Sequence, residues 1–347
     1  MRFMRGLAAA AAVVVMAMAL AADAGAQQRG VDFSQEPACQ TLTTTAMGGP
    51  APRNPNLLVM RYLGASNHEI AFRDSVVLFN AYYERFPPGR PLGFTREDVK
   101  KVNTILVGHA HGDHFSDVPF VAQRTGASVI GAPITAAQAQ KSAIPDKQIV
   151  TVTGRGGEVQ RFNGFTVEPL LGTHKQNSPE YSKSTGPAFR SIMEALGLAR
   201  TPADQERARQ HANGANDPKL GTEGTLTYLI TTDNGFRIVL RDASGEPTQA
   251  ERTAMQRIGR TDVAVVAYTT YVPQPQIPLT LELVQLFRPA VYMPTHHDDS
   301  GGGRFDTPLE PMFLAIRDAL PETRSMSPLY RTPVCFDTQT KNVFVGR

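Results

Sequence analysis

The chain has 347 residues, a formal net charge of +3, and a hydrophobic content of 41%. This length provides one large domain or two small ones with ample material for a core, and the composition excludes wholesale disorder. Lys and Arg are scattered among acidic residues and form no block or basic stripe, so the sequence predicts no nucleic-acid partner.

The first 26 residues predict a secretory signal peptide. Arg2 and Arg5 give a short basic start, residues 7–22 form an unbroken apolar run, and Ala24–Ala26 is a small-x-small cleavage site. A membrane anchor is the alternative, but this mostly alanine run is short and weakly apolar for a stable span. We expect cleavage after Ala26, no stable membrane span afterwards, and a periplasmic or secreted protein.

Cys39 and Cys335 are the two cysteines, one near each end of the mature chain. Export exposes them to an oxidising compartment, so a disulfide is expected, with two separate buried thiols as the alternative. Residues 27–55 are rich in Gln, Thr, Gly and Pro and predict an extended leader. The remainder, 56–347, is expected to form the main domain.

Regular patterning begins at Leu57 with three apolar segments separated by short turns. They predict an antiparallel meander over Leu57–Leu63, His68–Phe72 and Ser75–Phe79. A short helix is expected over Thr95–Val102, followed by a buried strand over Asn103–Val107.

Strand and helix signals then alternate, and both halves of the chain read as strands followed by a helix, as a sandwich of two sheets requires. An Asp-Asn-Gly turn predicts a hairpin between two of these strands. Residues 175–224 are polar and interrupt the alternation, which predicts a mostly helical insertion. The predicted strands are Ser128–Gly131, Phe165–Leu171, Thr225–Thr232, Phe236–Arg241, Val263–Ala267 and Ala290–Met293, with a helix over Thr280–Phe287.

Three of the eight histidines fall within the six residues from His109 to His114. His109 and His111 alternate by two at a strand end, so they project toward one point, while Asp113 and His114 follow on a turn toward a second point. Imidazole and carboxylate suit zinc and similar divalent ions. The run therefore predicts a metal site, and a polar turn that merely contains three histidines is the alternative.

Three further candidates, His174, Asp242 and His296, each stand just beyond the C-terminal end of an apolar strand. For any one of them alone, a satisfied polar residue at a strand end is the simpler interpretation. Their recurrence beside the histidine run favours convergence on one edge of the sheets, in a site with ligands for two metal ions.

The run His109-Ala-His-Gly-Asp-His114 and these three residues resemble the metallo-β-lactamase superfamily, over roughly Leu57 to the C-terminus. The resemblance implies an α/β fold, a four-layer αβ/βα sandwich with a metal site at one edge. It implies two divalent ions, most typically zinc, with manganese or iron admissible. The first would be held by His109, His111 and His174, and the second by Asp113, His114 and His296, with Asp242 bridging them.

Some segments depart from the family pattern or compete with the predicted ligands. Tyr62–His68 is similar to the opening motif of the branch with ascorbate-6-phosphate lactonase-like hydrolases, but Phe79–Tyr82 stands where many members have Asp-Pro. His297 competes with His296, and the Pro-Thr-His context favours His296. His68 is interpreted as a hydrogen-bonded strand histidine.

The resemblance implies a hydrolase in which a metal-bridging hydroxide attacks the substrate, with Asp113 and Asp242 orienting it and passing its proton to the leaving group. Superfamily β-lactamases lack the bridging aspartate, so Asp242 argues against that activity. We favour a small-molecule ester or lactone as substrate. Alternatives are a phosphodiesterase acting on lipid head groups or small phosphates, then a β-lactamase, and, outside the enzymes, a catalytically silent metal-binding protein.

Two tyrosines, Tyr268 and Tyr271, follow a predicted strand and are candidates for an oxyanion donor. Ordinary packing is at least as good an interpretation of either. The sequence makes no prediction of oligomeric state.

Overall fold

The computed structural model describes residues 30–174, 187–188, 190–215, 217–269, 276–299, 303–327 and 329–346. The segment Asp32–Arg347 forms one compact unit. The predicted signal peptide, part of the predicted insertion and Tyr271 lie outside the described residues. Within the described part, every helix is too short or too polar to cross a membrane.

Fifteen strands in the described part build two sheets. They are β1 Leu57–Gly64, β2 Asn67–Phe72, β3 Ser75–Phe79, β4 Thr104–Leu106, β5 Ser128–Gly131, β6 Ile149–Thr151, β7 Gln160–Phe162, β8 Phe165–Leu171, β9 Leu226–Thr232, β10 Arg237–Arg241, β11 Val263–Ala267, β12 Val291–Thr295, β13 Arg324–Ser325, β14 Val334–Asp337 and β15 Val343–Val345. The first sheet has the order β15-β14-β1-β2-β3-β4-β5-β6, and the second β13-β12-β11-β10-β9-β8-β7.

The helices pack on the outer faces of the two sheets or lie in the insertion. The α-helices are α1 Gly112–Phe115, α2 Val118–Thr125, α3 Pro133–Lys141, α4 Pro202–Ala212, α5 Lys219–Thr222, α6 Gln249–Ile258, α7 Gln276–Phe287 and α8 Glu310–Ala319. Single 3₁₀ turns occur at Phe33–Gln35, Pro37–Cys39, Arg96–Asp98 and Asp146–Gln148, and residues 190–195 are also helical.

Alternation along the strands explains the layering, as β11 shows. Val263 and Val265 point into the core between the sheets, whereas Ala264 and Val266 point into the outer core, where α6, α7 and α8 pack. The first sheet has a matching outer core against α2 and α3. This arrangement confirms the predicted four-layer αβ/βα sandwich, and the meander of β1, β2 and β3 is antiparallel as predicted.

The helix predicted over Thr95–Val102 was wrong, because only the turn Arg96–Asp98 forms. Asp98 caps this turn by accepting a hydrogen bond from Thr95 N at 2.8 Å. The amides of Lys100 and Lys101, which a longer helix would use internally, donate instead to the carbonyl of Ala46 in the leader, at 2.7 and 3.0 Å. A long-range contact thus replaces the local one.

The leader is held against the first sheet and is not simply extended, since it contains two 3₁₀ turns. Cys39 and Cys335 form the predicted disulfide, with a Cα–Cα distance of 6.1 Å. Glu69 of β2 accepts hydrogen bonds from the leader amides of Thr45 and Ala46, at 3.0 and 2.7 Å. The buried Arg61 guanidinium also pairs with Glu69, at 3.1 Å, and so balances its charge.

Candidate metal centre

All seven residues predicted as metal ligands come together at one edge of the sandwich. His109 and His111 follow β4 of the first sheet, and α1 carries Asp113 and His114. The other three follow β8, β10 and β12 of the second sheet. Their candidate ligand atoms form three groups, each within 4.8 Å: His109, His111 and His174; His109, His114 and Asp242; and Asp113, His114 and His296.

Direct contacts tie these side chains into one cluster. Asp242 Oδ1 lies 3.1 Å from His109 Nδ1, and Asp242 Oδ2 lies 3.2 Å from His114 Nδ1. Asp113 Oδ2 lies 2.9 Å from His296 Nε2. The rings of His109 and His114 are 4.0 Å apart between centroids. Polar groups from both sheets therefore share one largely buried site.

In the loop after β12, His296 joins the candidate ligand cluster, whereas His297 contacts Tyr62. His296 adopts a left-handed backbone with φ 64°, and its amide donates to the carbonyl of Ala65 at 2.7 Å. That carbonyl also accepts from the Tyr62 hydroxyl and the Thr295 hydroxyl. The ring of His297 instead stacks on Tyr62, with centroids 5.1 Å apart.

Further contacts settle the interpretation of His68 and fix the end of the same loop. His68 Nε2 lies 3.1 Å from Thr295 Oγ1, in agreement with a hydrogen-bonded strand histidine. Asp298 pairs with the buried Arg85 at 2.8 Å and accepts a hydrogen bond from Tyr330. The opening motif Tyr62–His68 thus acts in this chain as a support for the His296 loop.

Arg241, which directly precedes Asp242, has a structural role. Arg241 is fully buried and pairs with Glu251 of α6 at 2.7 Å. It also donates to Thr173 Oγ1 at 3.1 Å. Because Thr173 precedes His174, this contact links the end of β10 to the segment that carries a third imidazole.

Asn80 is a site residue that sequence reasoning missed. It follows β3 with a left-handed φ of 63°, which asparagine tolerates better than most residues. Its Nδ2 lies 2.9 Å from Asp242 Oδ2, and its Oδ1 accepts from the amide of Gly108 at 3.0 Å. The signal in the sequence was its position, since it stands where many members of the family carry an aspartate.

The described part of the insertion borders the site. A Cβ added at Gly221 would lie 2.6 Å from His111 Cε1 and 3.1 Å from His174 Cγ, so glycine permits this close approach. On α4, His211 Nε2 lies 3.1 Å from the buried Asp117, just beyond α1. Tyr268, by contrast, packs in the outer core of the second sheet. This position agrees with ordinary packing rather than with a role as an oxyanion donor.

Burial and mutual contact set the charge states of the site. Burial alone would raise the pKa of Asp242, but His109 and His114 outweigh it and hold that pKa well below its usual value. The pKa of Asp113 is lowered in the same way, chiefly by His114 and His296 against the effect of burial. Burial lowers the pKa of His174 to about 4, assisted by His111. Burial opposes protonation of His296, but Asp113 raises its pKa to about 9.

The donor set fits divalent metal ions. Imidazole nitrogens and carboxylate oxygens are ligands of zinc, manganese and iron. Buried polar atoms normally have hydrogen-bond partners, yet His109 Nε2 is buried and has none among the described residues. A metal ion would supply the partner that this nitrogen lacks.

The fold and the clustered candidate ligands agree with what the resemblance to the metallo-β-lactamase superfamily implies. In sequence it is similar to a UPF0173 metal-dependent hydrolase of Cupriavidus taiwanensis, with 26% identity over 218 residues, which are 61% of this chain. The match spans 65% of that relative, which is less than two thirds of its length. No family model matches the chain.

Solved structures show the same fold at low sequence identity. Igni18, a metallo hydrolase of Ignicoccus hospitalis, matches with a TM-score of 0.56 and 14% identity, over 81% of this chain and 98% of that one. CmlA, a diiron beta-hydroxylase of Streptomyces venezuelae, matches with a TM-score of 0.50 and 13% identity, over 80% of this chain and 54% of that one. Because these two neighbours have different activities, the fold alone does not fix the reaction.

The His296–Asp113 pair leads to a prediction about protons. With a pKa of about 9, the His296 ring is protonated at pH 7 in the metal-free protein, and a metal ion that binds it must displace that proton. Zinc binding at pH 7 is expected to release about one proton from this ring, and the apparent affinity should rise about tenfold per pH unit until the pH nears 9.

Isothermal titration calorimetry of the metal-free protein, in two buffers of different ionisation enthalpy, measures this release. A binding enthalpy that is the same in both buffers, with an affinity independent of pH between 6 and 8, would contradict the prediction.

Proposed function

We propose that the chain is a metal-dependent hydrolase that uses two divalent cations to cleave an ester or lactone bond in a small molecule. The observation that carries this proposal is the convergence of seven candidate ligands from both sheets at one edge. The similarity to proteins named metal-dependent hydrolases supports the reaction class. The ester or lactone is our preference within that class.

Two of the three ligand groups each suit one ion, and the third, His109, His114 and Asp242, shares a histidine with each of them. We infer that the first ion is held by His109, His111 and His174, and the second by Asp113, His114 and His296. Zinc is the expected metal, and manganese or iron also suit these donors. When bound, such ions supply Lewis acidity and lower the pKa of water enough to make a nucleophile at neutral pH.

The chain's own residues differ in what they can reach. The Asp113 side chain is 28% exposed, whereas that of Asp242 has no exposed surface. Asp113 is therefore the carboxylate that we assign to orienting water and passing a proton to the leaving group. Asp242 contacts both His109 and His114, and its carboxylate belongs to one of the candidate ligand groups. Gly221, against His111 and His174, places the insertion where it would limit substrate size.

An activity screen tests the hydrolase directly. The protein, loaded with zinc or with manganese, is assayed against lactones, simple esters, phosphodiesters and β-lactams. We expect turnover of lactones or esters, and a loss of about 10²- to 10⁴-fold in kcat for Asp113→Asn, the range found when an acid–base group is removed. The matched control is Asp318→Asn, because Asp318 is 70% exposed on α8.

The outcomes separate the alternatives. Turnover of phosphodiesters without turnover of esters would make the substrate assignment wrong and leave the hydrolase in place. A wild-type protein that binds both ions and turns over none of the four classes would favour the catalytically silent metal-binding protein.

We also propose that the mature protein is periplasmic or secreted. Two features support this: the basic, apolar and small-residue pattern before Gln27, and the paired Cys39 and Cys335, since disulfides persist in oxidising compartments. Mass spectrometry of the protein expressed with its full N-terminus should find a chain that begins at Gln27 outside the cytoplasm. An uncleaved chain retained in the cytoplasm would contradict export.

A further inference from the structure

One tyrosine of the second sheet reaches across the interior of the sandwich to the first sheet. Tyr228 belongs to β9, and its side chain is fully buried in the core between the two sheets. Its hydroxyl lies 2.8 Å from the carbonyl oxygen of Val107 and 2.9 Å from that of Ile130. A carbonyl oxygen can only accept, so the tyrosine is the donor, and its one proton is shared between the two carbonyls.

The two carbonyls lie where the first sheet approaches the candidate metal centre. β4 ends at Leu106, and Val107 stands two residues before His109. The amide of Val107 donates to the carbonyl of Ile130 in β5 at 2.9 Å, so the tyrosine contacts both partners of this hydrogen bond. Because the regular strand has ended, the carbonyl of Val107 needs a donor from elsewhere, and Tyr228 supplies one.

The register of β9 connects Tyr228 to the strands that carry other candidate ligands. Tyr228 is paired with Leu240 of β10, two residues before Asp242. On its other side it is paired with Pro169 of β8, the strand that leads to His174. One hydroxyl group therefore links two ligand-bearing strands of the second sheet to the strand end of the first sheet that carries the histidine run.

Two neighbouring contacts act in the same place without the hydroxyl. The amide of Leu226, at the start of β9, donates to the carbonyl of Gly108 at 2.7 Å. The ring of Tyr228 meets the ring of Phe79 edge-on, with centroids 6.3 Å apart. A phenylalanine at position 228 would keep both contacts and would lose only the hydrogen bond to the two carbonyls.

Tyr292 of β12 provides a matched comparison. It is also fully buried, in the outer core of the second sheet, but its hydroxyl has no hydrogen-bond partner among the described residues. A buried hydroxyl without a partner costs free energy, so its removal is expected to be neutral or favourable. The two tyrosines thus share their burial and differ in the partners of the hydroxyl.

We propose that the hydroxyl of Tyr228 is a positioning group that holds the end of β4 against β9, so that His109 meets the candidate ligands of the second sheet. This inference rests on the proposed metal site. Tyr228 acts through the backbone at Val107 and contacts no reacting atom. Removal of a single oxygen atom, in Tyr228→Phe, is therefore enough to break the link.

Thermal unfolding of the metal-free protein gives the first readout. Tyr228→Phe leaves a buried carbonyl without its donor and is expected to lower the Tm by about 2 to 6 °C. Tyr292→Phe should leave the Tm unchanged or raise it slightly. Equal Tm values for the wild type and Tyr228→Phe would show that the hydroxyl does not hold the two sheets together.

The absorption spectrum of the cobalt(II)-loaded protein gives a readout that a purely structural role would not change. Cobalt binds the same nitrogen and oxygen donors as zinc, and its d–d bands depend on the coordination geometry. Tyr228→Phe is expected to show altered bands and an affinity for cobalt lowered about 2- to 30-fold, the range for residues that affect a site without touching the ligand. Tyr292→Phe should match the wild type in both.

One measurement needs no variant to fold. In nuclear magnetic resonance spectra of the wild type labelled at tyrosine, the hydroxyl proton of Tyr228 should exchange slowly with water. It should also resonate downfield of the hydroxyl proton of Tyr292, because a hydrogen bond to a carbonyl deshields the proton. A Tyr228 hydroxyl that exchanges rapidly, or that resonates upfield of the Tyr292 hydroxyl, would overturn the inference.

The remaining outcomes separate this inference from the proposed function. A Tyr228→Phe variant with the cobalt spectrum and affinity of the wild type would make the positioning role wrong and leave the proposed metal site in place. A wild type that binds no metal would make the proposed function wrong, and with it the positioning role. The Tm values and the hydroxyl resonance would then still show whether Tyr228 joins the two sheets.

Discussion

The contact of Asp242 with His109 and His114 is the constraint on which the site depends, because it joins the two sheets. Asp242 follows β10 of the second sheet, and the two histidines come after β4 of the first. All three side chains are almost fully buried, so each depends on the others for hydrogen bonds. A shift of one sheet against the other would leave a buried carboxylate without partners.

Hydrogen bonds and ion pairs between the surrounding loops keep the two sheets in this relative position. The Ala65 carbonyl between β1 and β2 accepts from three groups, one of which is the amide of His296. Arg241 ties β10 to α6 and to the residue before His174. Asp117 accepts from the amide of Tyr83 at 2.7 Å. The candidate ligands are thus held on strand ends and short turns without an ion, which is the arrangement that a metal site would require.

Charge balance follows from the same contacts. Two carboxylates of low pKa, Asp113 and Asp242, face a group of imidazoles, and His296 holds a proton in the metal-free state. A cation bound at His296 would exchange its charge for that proton. The buried site would then not gain the full positive charge of the ion, which would lower the cost of desolvating it.

Most of the regular structure could be predicted from the sequence, because β-branched and apolar runs identify strands whatever they pair with. The bounds of β3, β5, β8 and β11 agree with the prediction residue for residue. The helix α7 begins at Gln276, four residues before the predicted start. Its third residue is a proline, which the first turn of a helix tolerates.

The remaining errors have a common physical origin in contacts between distant parts of the chain. The helix expected over Thr95–Val102 does not form, because amides at its C-terminal end donate to the carbonyl of Ala46, some fifty residues away in the sequence. Asn80 is informative only beside Gly108 and Asp242, and the latter is separated from it by 162 positions. A motif such as the His109–His114 run is local and can be recognised, whereas a single asparagine that orients a carboxylate cannot.

Anomalous diffraction from crystals of the zinc-loaded protein, recorded on both sides of the zinc edge, tests the central claim most directly. Two zinc peaks should appear at this edge of the sandwich, one among His109, His111 and His174 and one among Asp113, His114 and His296. No zinc peak in contact with these histidines, in protein shown to contain zinc, would contradict the account.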